Sequence, residues 1–404
     1  MSEWKVTKMK NVINRMFSGG TPTTTTDDYW NGDLPWLSSG ETRKKYIQDT
    51  DKTITYLGVK ESSTKLAKKN SVVIASAGQG KTRGQVSFLL NDMYINQSII
   101  SIEANEQYLL PEYLFFNLSS RYDEIRILSD ASSSRGSITT EFLNRFQIKL
   151  PDVKTQEKIA NFLSTYDQLI EDNNRRIEVL EQTAEEIYKE WFVRMRFPGY
   201  ENTSFIKGIP EGWEVKRVKD LGEVVTGKTP STKVTEYYGE EVMFVKTPDM
   251  HGNIFTSQTE SNLSEAGSNS QDNKLLPQDS IMVSCIGTGG VVSINMFPAH
   301  TNQQINSIIL EDTNIREWAF LTLKSMKQTI ELFGATGATM TNLSKGKFEG
   351  LKLLYPSDEL LNKFHSITKP MFKELKSIIL TNENLKRQRD LFLPRLMNGT
   401  IEVK

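Results

Sequence analysis

Residues 155–191 read TQEKIANFLSTYDQLIEDNNRRIEVLEQTAEEIYKEW. Apolar or neutral residues recur in this stretch at alternating steps of four and three, which is the a/d spacing of a coiled coil. A helix of about 40 residues cannot bury such a seam by itself, so it needs a partner helix. The seam consists of Ile159, Leu163, Tyr166, Ile170, Asn173, Ile177, Leu180, Ala184, Ile187 and Trp191.

A second stretch with the same periodicity lies near the other end of the sequence, at residues 358–398. It contains Pro370 and Pro394, and an internal proline removes a backbone hydrogen bond and kinks or breaks a helix. The sequence therefore leaves two alternatives open, a continuous helix or one in pieces with Pro370 in a new first turn. The second seam consists of Leu361, Phe364, Thr368, Met371, Leu375, Ile378, Asn382, Leu385, Arg389, Phe392 and Leu396.

For an antiparallel pair of helices, the two seams predict a particular register. Each seam contains one asparagine, and placing Asn173 opposite Asn382 also places Ile177 opposite Ile378. A buried pair of asparagines costs stability but fixes the register, because slipping would leave each amide against an apolar side chain. The alternative is that both asparagines face solvent beside a kink.

The composition of the 404-residue chain is ordinary, with 37% apolar and 25% charged residues, and the length suggests two domains or more. Its one cysteine, Cys285, excludes an intramolecular disulfide and is typical of a reducing cytoplasm. No run approaches the roughly 18 apolar residues of a membrane span, and we see no signal peptide. The formal net charge of −1 does not indicate nucleic-acid binding unless local patches or basic partners compensate.

The first 150 residues are typical of a mixed α/β domain, and their pattern returns after the first helix. The offset between equivalent positions is nearly constant, at 205 to 209 residues, which indicates a tandem duplication. Equivalent positions are Trp4 and Trp213, Gly19 and Gly227, Tyr29 and Tyr237, Asn70 and Asp279, Asn96 and Asn302, and Pro151 and Pro356.

Residues 75–82, ASAGQGKT, are only superficially similar to a phosphate-binding loop. The first glycine of that motif is replaced by Ala75, the following segment is typical of a strand rather than a helix, and the duplicated turn lacks the lysine. A β-turn with glycines at positive φ is the simpler interpretation. The three histidines are scattered, and no cofactor fingerprint is present, so we expect no catalytic residue, no cofactor and no metal site.

Basic and polar clusters on predicted loops are the candidates for DNA contacts, because such side chains suit phosphates and base edges. For each loop taken alone, a solvated surface is the simpler alternative. The candidates are Lys44, Lys45, Lys81, Arg83 and Arg135 in the first half and Lys246, His251, Asn253, Lys345 and Lys347 in the second.

The chain has the order lobe, helix, lobe, helix. This order, together with three groups of residues, resembles the specificity subunit of type I restriction–modification enzymes. They are GIPEGW at 208–213 with GKTP at 227–230, WFVR at 191–194 with RFPG at 196–199, and RDLFLPRL at 389–396 with NG at 398–399. The resemblance covers the whole chain. It implies an α+β protein in which two mixed α/β target-recognition domains in tandem duplication are spaced by two long helices forming an antiparallel coiled coil.

The resemblance also implies the domain organisation and the function. Each recognition domain would read one half of a bipartite target in double-stranded DNA, while the helices hold two methyltransferase subunits and later the restriction/translocase subunits. Recognition domains vary freely within the family, so no base-contacting residue carries over. The domains would be 1–151 (target recognition 1), 152–198 (spacer helix 1), 199–356 (target recognition 2) and 357–404 (spacer helix 2 with the tail).

Two other functions remain as alternatives. One is a coiled-coil scaffold with two ligand-binding lobes and no DNA role. The other is a truncated or fused catalytic subunit, which the missing cofactor motif disfavours. The leading interpretation is a cytoplasmic, non-catalytic recognition subunit without a membrane association.

Overall fold

The contacts within the chain define two compact units. The first consists of Met1–Glu171 with Asn384–Lys404, and the second of Asp172–Glu383. Each unit contains a segment of both long helices. The computed structural model describes residues 4–78, 80–132, 136–335 and 341–403.

The described strands of the first unit form three sheets. They are β1 (Lys5–Lys8), β2 (Ile13–Ser18), β3 (Trp30–Leu37), β4 (Tyr46–Ile47), β5 (Lys52–Ile54), β6 (Lys65–Ala67), β7 (Val72–Ala75), β8 (Val86–Leu89), β9 (Met93–Ile95), β10 (Ile99–Ala104) and β11 (Gln147–Leu150). The five-stranded sheet has the order β2-β10-β7-β8-β4, the four-stranded sheet has the order β5-β3-β9-β6, and β1 pairs with β11. Strands β7 and β8 are buried along their whole length, in keeping with the apolar run VVIA of β7.

Helices cover the five-stranded sheet of the first unit. Pro111 at the first turn favours the start of the second helix, and Phe115 and Phe116 of that helix are buried against the sheet. The first long helix also contributes to this core through Leu163. The helices are α1 (Tyr56–Lys60), α2 (Pro111–Ser119), α3 (Tyr122–Ser132), α4 (Thr140–Arg145) and α5 (Val153–Tyr188), the last of which continues as a π-helical turn, Lys189–Val193.

The described strands of the second unit repeat this arrangement. They are β12 (Phe205–Ile206), β13 (Ile209–Pro210), β14 (Glu214–Arg217), β15 (Gly222–Thr226), β16 (Tyr238–Gly239), β17 (Val242–Val245), β18 (Phe255–Thr256), β19 (Asn262–Leu263), β20 (Ile281–Ser284), β21 (Ile286–Gly287), β22 (Val292–Asn295), β23 (Ala299–Thr301), β24 (Ile305–Leu310), β25 (Thr341–Asn342) and β26 (Lys352–Tyr355). The five-stranded sheet has the order β15-β24-β20-β22-β18, and β14 pairs with β26. Matched along the chain, these strands have the order of their first-unit counterparts, so the predicted duplication is confirmed.

The helices of the second unit are α6 (Thr247–Met250), α7 (Glu265–Asn269), α8 (Arg316–Ser325), α9 (Lys327–Gly334), α10 (Lys345–Glu349) and the long α11 (Asp358–Met397). Helix α11 is continuous through Pro370, whose ring lies on an exposed face. Its buried residues Phe364, Phe372 and Leu375 join the core of the unit. The alternative in which this helix comes in pieces is therefore wrong.

The two long helices pack antiparallel within each unit, as predicted. In the second unit, the ring of Trp191 contacts that of Phe364, with centroids 5.7 Å apart, at one end of the paired segment. In the first unit, the rings of Phe162 and Phe392 lie 5.4 Å apart. Residue numbers rise on α5 as they fall on α11, which is the antiparallel arrangement.

Candidate nucleic-acid interface

Equivalent loops carry predicted DNA contacts in the two units. We name residues 38–45, between β3 and β4, the first basic loop, and residues 246–253, between β17 and β18, the second polar loop. Both loops begin with the same hydrogen bond, in which a backbone N–H donates to the side-chain carboxylate of the residue three positions later. The N–H of Ser38 donates to Glu41 Oε2 at 2.9 Å, and that of Lys246 donates to Asp249 Oδ2 at 2.8 Å.

The first basic loop is anchored on both sides. Glu41 is buried, and its Oε1 also accepts the N–H of Asp51 at 2.8 Å. At the other end, the carbonyl oxygen of Lys45 accepts the N–H of Phe88 at 2.8 Å, which holds the loop against β8. The loop is thus held by hydrogen bonds at both ends, and the side chain of Lys44 extends from it into solvent.

The Lys45 side chain takes a different direction from that of Lys44. Its ammonium lies 3.1 Å from Oδ1 of Asp167 on α5, and the hydroxyl of Tyr46 donates to Oδ2 of the same carboxylate at 3.1 Å. Burial lowers the pKa of Lys45 below its ordinary value, against the opposing attraction of Asp167. Burial and the neighbouring carboxylate both raise the pKa of Tyr46. Lys45 is therefore already paired inside the protein.

The glycine turn between β7 and β8, which contains Gly78, Gly80 and Gly84, carries two further candidates. Lys81 at its tip is exposed. Arg83 is only 8% exposed, and its guanidinium donates to Asp130 Oδ1 at 2.5 Å and to the carbonyl oxygen of Gly136. The charge of Arg83 is thus directed into the protein rather than toward solvent.

Helix α3 holds the glycine turn from one side. The hydroxyl of Tyr122 donates to the carbonyl oxygen of Lys81 at 2.7 Å, and the guanidinium of Arg126 donates to that of Gly80 at 2.5 Å. The glycines at positive φ provide the turn, and strand β8 follows it. A phosphate-binding loop would instead lead into a helix. The turn is therefore a strand connection, as the simpler interpretation predicted.

The remaining candidates differ in exposure. Lys246 is partly buried, with its ammonium donating to Ser261 Oγ at 2.8 Å, whereas His251 and Asn253 are exposed at the end of the second polar loop. Lys345 and Lys347 are exposed on α10, where Lys345 lies 3.5 Å from Glu349. Arg135 lies outside the described residues.

Within residues 4–78, 80–132, 136–335 and 341–403, no group of three or more His, Cys, Asp or Glu side chains is placed to hold a metal ion. Among the same residues, no helix is both long enough and apolar enough to cross a membrane.

Comparison with known proteins identifies the family to which this chain belongs. The sequence model of the family described as "Type I restriction modification DNA specificity domain" matches residues 1–182 and 210–388. The chain belongs to this specificity family. It is similar, at 32% identity over 83% of this chain and 88% of the other, to the type I restriction enzyme HindI specificity subunit of Haemophilus influenzae. It is 26% identical to the MjaIX specificity subunit of Methanocaldococcus jannaschii, over 100% of this chain and 94% of the other.

A solved structure agrees with the family assignment at the level of the fold. The crystal structure of a type I restriction–modification S subunit from M. genitalium is similar with a TM-score of 0.61 and 14% identity, over 97% of this chain and 96% of the other. As a member of the specificity family, the chain is a non-catalytic DNA-recognition subunit. The scaffold without a DNA role is not favoured.

In this specificity subunit, the sequence reasoning missed the carboxylate that organises the first basic loop. Asp167 flanks the helix seam, and nothing in its neighbours along the chain distinguishes it from a solvated residue. One signal was available, because Arg389 occupies a seam position where apolar residues are the rule. A cation in such a position needs a buried anion, and Asp167 is that anion, 2.5 Å away.

The two asparagines of the predicted register lie together in the second unit. Nδ2 of Asn173 donates to Oδ1 of Asn382 at 2.8 Å, and Nδ2 of Asn382 donates to Oδ1 of Asn174 at 3.0 Å. Asn382 is buried and Asn173 is partly buried. The two asparagines thus bond to each other between the helices, and the alternative in which both face solvent does not apply.

Proposed function

We propose that this chain reads a bipartite target in double-stranded DNA as the specificity subunit of a type I restriction–modification complex, each recognition domain reading one half of the target. The long helices would dock two methyltransferase subunits, which the restriction/translocase subunits join later. We assign the recognition domains to residues 1–151 and 199–356, and the spacer helices to residues 152–198 and 357–404. The complex would act in the cytoplasm.

The observation that carries this proposal is the repetition of one fold, with an equivalent loop that carries candidate contacts at the same place in each copy. A target of two halves requires two reading surfaces on one chain, and the duplication supplies two of the same type. Loops held by a rigid sheet are suited to recognition, because the scaffold limits the conformations that the reading side chains can adopt.

The geometry divides the candidate contacts into two groups. Lys45, Arg83 and Lys246 are partly or fully buried and are bonded to partners within the protein, so we propose for them mainly a supporting role. Arg135 remains a candidate from the sequence alone. The exposed candidates, which we propose as direct contacts to DNA, are Lys44, Lys81, His251, Asn253, Lys345 and Lys347.

The proposal is tested with the chain purified in complex with its methyltransferase subunits. We expect the complex to methylate DNA at one bipartite sequence and the isolated chain to transfer no methyl groups. Sequencing the methylated bases of a host that carries both genes would identify the target. Methyl transfer by the isolated chain, free of contaminants, would contradict the proposal.

The contact assignments have a separate test in the salt dependence of DNA binding. Replacing an exposed lysine that contacts a phosphate should reduce the slope of log affinity against log salt by about 1 and weaken all sequences alike. We expect this for Lys81→Ala. Lys60→Ala, at an exposed lysine of α1 that we do not assign to DNA, is the matched control. Equal slopes for the two variants would refute the assignment of Lys81.

A further inference from the structure

One carboxylate in the first unit receives three groups from two separate parts of the chain. Asp167 lies on α5 with a side chain that is only 5% exposed. Its Oδ1 accepts hydrogen bonds from Lys45 at 3.1 Å and from Arg389 of α11 at 2.5 Å. Its Oδ2 accepts the hydroxyl of Tyr46 at 3.1 Å. A single side chain therefore connects both long helices to the end of the first basic loop.

The arrangement is demanding because the Asp167 carboxylate and the Arg389 guanidinium are both largely withdrawn from water, with side chains 5% and 11% exposed. A buried carboxylate is stable only when cations and hydrogen-bond donors replace its hydration, and here two cations and a phenol do so. Removing the carboxylate would leave the guanidinium of Arg389, whose side chain is 11% exposed, with the exposed Asp390 as its remaining anionic partner. The three bonds to Asp167 therefore fix the positions of the Lys45, Tyr46 and Arg389 side chains relative to α5.

The cluster acts on the basic loop through consecutive residues. Lys45 ends the loop and Tyr46 begins β4, and both side chains are held by Asp167. The backbone of Lys45 is fixed at the same time by Phe88 of β8. The direction in which Lys44 leaves the loop is therefore set jointly by the sheet and by the helix that carries Asp167.

The equivalent strand of the second unit is attached differently. Ser257, immediately after β18, donates its hydroxyl to Glu383 of α11. Lys376 of α11 forms an ion pair with Asp279, which lies just before β20 rather than next to β18. A change at Asp167 should consequently affect one recognition domain and leave the other unchanged.

We propose that Asp167 is a positioning residue for recognition of the first half-site. It holds the first basic loop against the long helices and thereby sets how strictly the first domain discriminates its half of the target, without contacting DNA itself. This inference rests on the proposed function of the chain as a reader of bipartite DNA.

The test uses the complex of the full chain with its methyltransferase subunits and three DNA duplexes. One duplex carries the target identified from the methylated bases of the host, and the other two each carry a single base change, in the first or the second half-site. We expect Asp167→Asn to reduce discrimination against the altered first half-site about tenfold, which is the size of one base-pair preference. Discrimination at the second half-site should be unchanged. Glu157→Gln, at an exposed carboxylate of the same helix, is the matched control and should alter neither.

A second variant separates positioning from loss of folding. Tyr46→Phe removes only the hydroxyl that reaches Asp167, so the charges stay paired and the ring still packs. It should relax the first half-site in the same direction as Asp167→Asn, by a smaller factor, with an unchanged slope of affinity against salt. If Asp167→Asn does not fold, as judged by circular dichroism, Tyr46→Phe alone decides the question.

Three outcomes would overturn the inference. They are unchanged discrimination in the folded Asp167→Asn variant, unchanged discrimination in Tyr46→Phe when only that variant folds, and an equal loss at both half-sites. A wild-type complex that binds DNA but discriminates at neither half-site would overturn the proposed function, and the positioning role with it. These results are distinguishable because the second half-site serves as an internal reference in every measurement.

Discussion

Lys81 and Arg83 lie two positions apart in the same glycine turn and have opposite environments. The ammonium of Lys81 is in solvent, whereas the guanidinium of Arg83 is bonded to Asp130 and to the carbonyl oxygen of Gly136. Judged by residue type alone, a lysine and an arginine are equally suited to contact DNA phosphates. Their surroundings leave the Lys81 ammonium accessible to DNA, as we propose, and place Arg83 in the support of the turn.

This difference predicts opposite effects of two alanine substitutions. Arg83→Ala should lower the free energy of unfolding by about 1–3 kcal/mol, because it leaves the carbonyl oxygen of the buried Gly136 without its hydrogen-bond donor. Lys81→Ala should change it by less than about 0.5 kcal/mol, as is usual for surface substitutions. Thermal unfolding of the purified chain measures both. An unchanged melting temperature for Arg83→Ala, combined with a reduced salt slope of DNA binding, would instead make Arg83 a DNA contact.

His300 predicts a pH dependence of stability in the second unit. The residue is buried in β23 with Nε2 2.8 Å from Oγ of Ser268, and burial lowers its pKa below the ordinary value. The unfolded chain therefore binds a proton at a higher pH than the folded chain, so protonation favours unfolding. This contribution is complete above the unfolded-state pKa, about 6.5, and declines as the pH falls below it.

We accordingly expect the melting temperature of the wild-type chain to fall between about pH 7.5 and about pH 5.5, across the histidine range. The fall should be smaller in His300→Gln, which cannot take up the proton. His251→Gln, at an exposed histidine, is the control and should show the full wild-type fall. Identical pH profiles for the wild type and His300→Gln would contradict the assignment.

At the scale of elements, the long helices follow the apolar spacing of the sequence. Helix α11 continues through Pro370 because the proline lies on an exposed face, while Phe364, Phe372 and Leu375 on the other side are buried in the core. This burial outweighs the backbone hydrogen bond that the proline removes.

The register of the helix pair predicts a specific crosslink. In a chain with Cys285→Ser, we expect the pair Asn173→Cys and Asn382→Cys to form a disulfide readily under mild oxidation. The physical reason is that the two native side chains are within hydrogen-bonding distance. Asn173→Cys with Ile378→Cys, about one helical turn away, is the control and should crosslink poorly. Preferential crosslinking of the control pair would show that the helices are offset by a turn.

At the scale of the whole molecule, the duplication predicts modular specificity. Replacing residues 1–150 with the corresponding segment of another specificity subunit should change one half of the methylated target and leave the other half as it was. The reason is that each unit has its own sheets and core. Sequencing of methylated bases in hosts that carry the parent and the chimaera measures the result. A change in both halves would mean that the two domains do not read independently.

The sequence alone determined the features of this protein that repeat along the chain. The a/d spacing predicted both long helices and, for an antiparallel pair, their register, and the constant offset predicted the duplication. These patterns are readable because periodic burial requires periodic apolar residues, whatever the details of packing. Even the pairing of Asn173 with Asn382 follows from them, because a regular helix converts residue number into position along its axis.

Only the tertiary structure decided the environment of each charge. Lys44 and Lys45 are adjacent and chemically identical, yet one is in solvent and the other is paired with Asp167, more than 100 residues away in the chain. Burial and ion pairing depend on segments that approach each other in space, and no local pattern specifies which segments those are. The residues that we propose to support the DNA interface could therefore not be identified from the sequence, whereas the helices and the duplicated domains that carry them could.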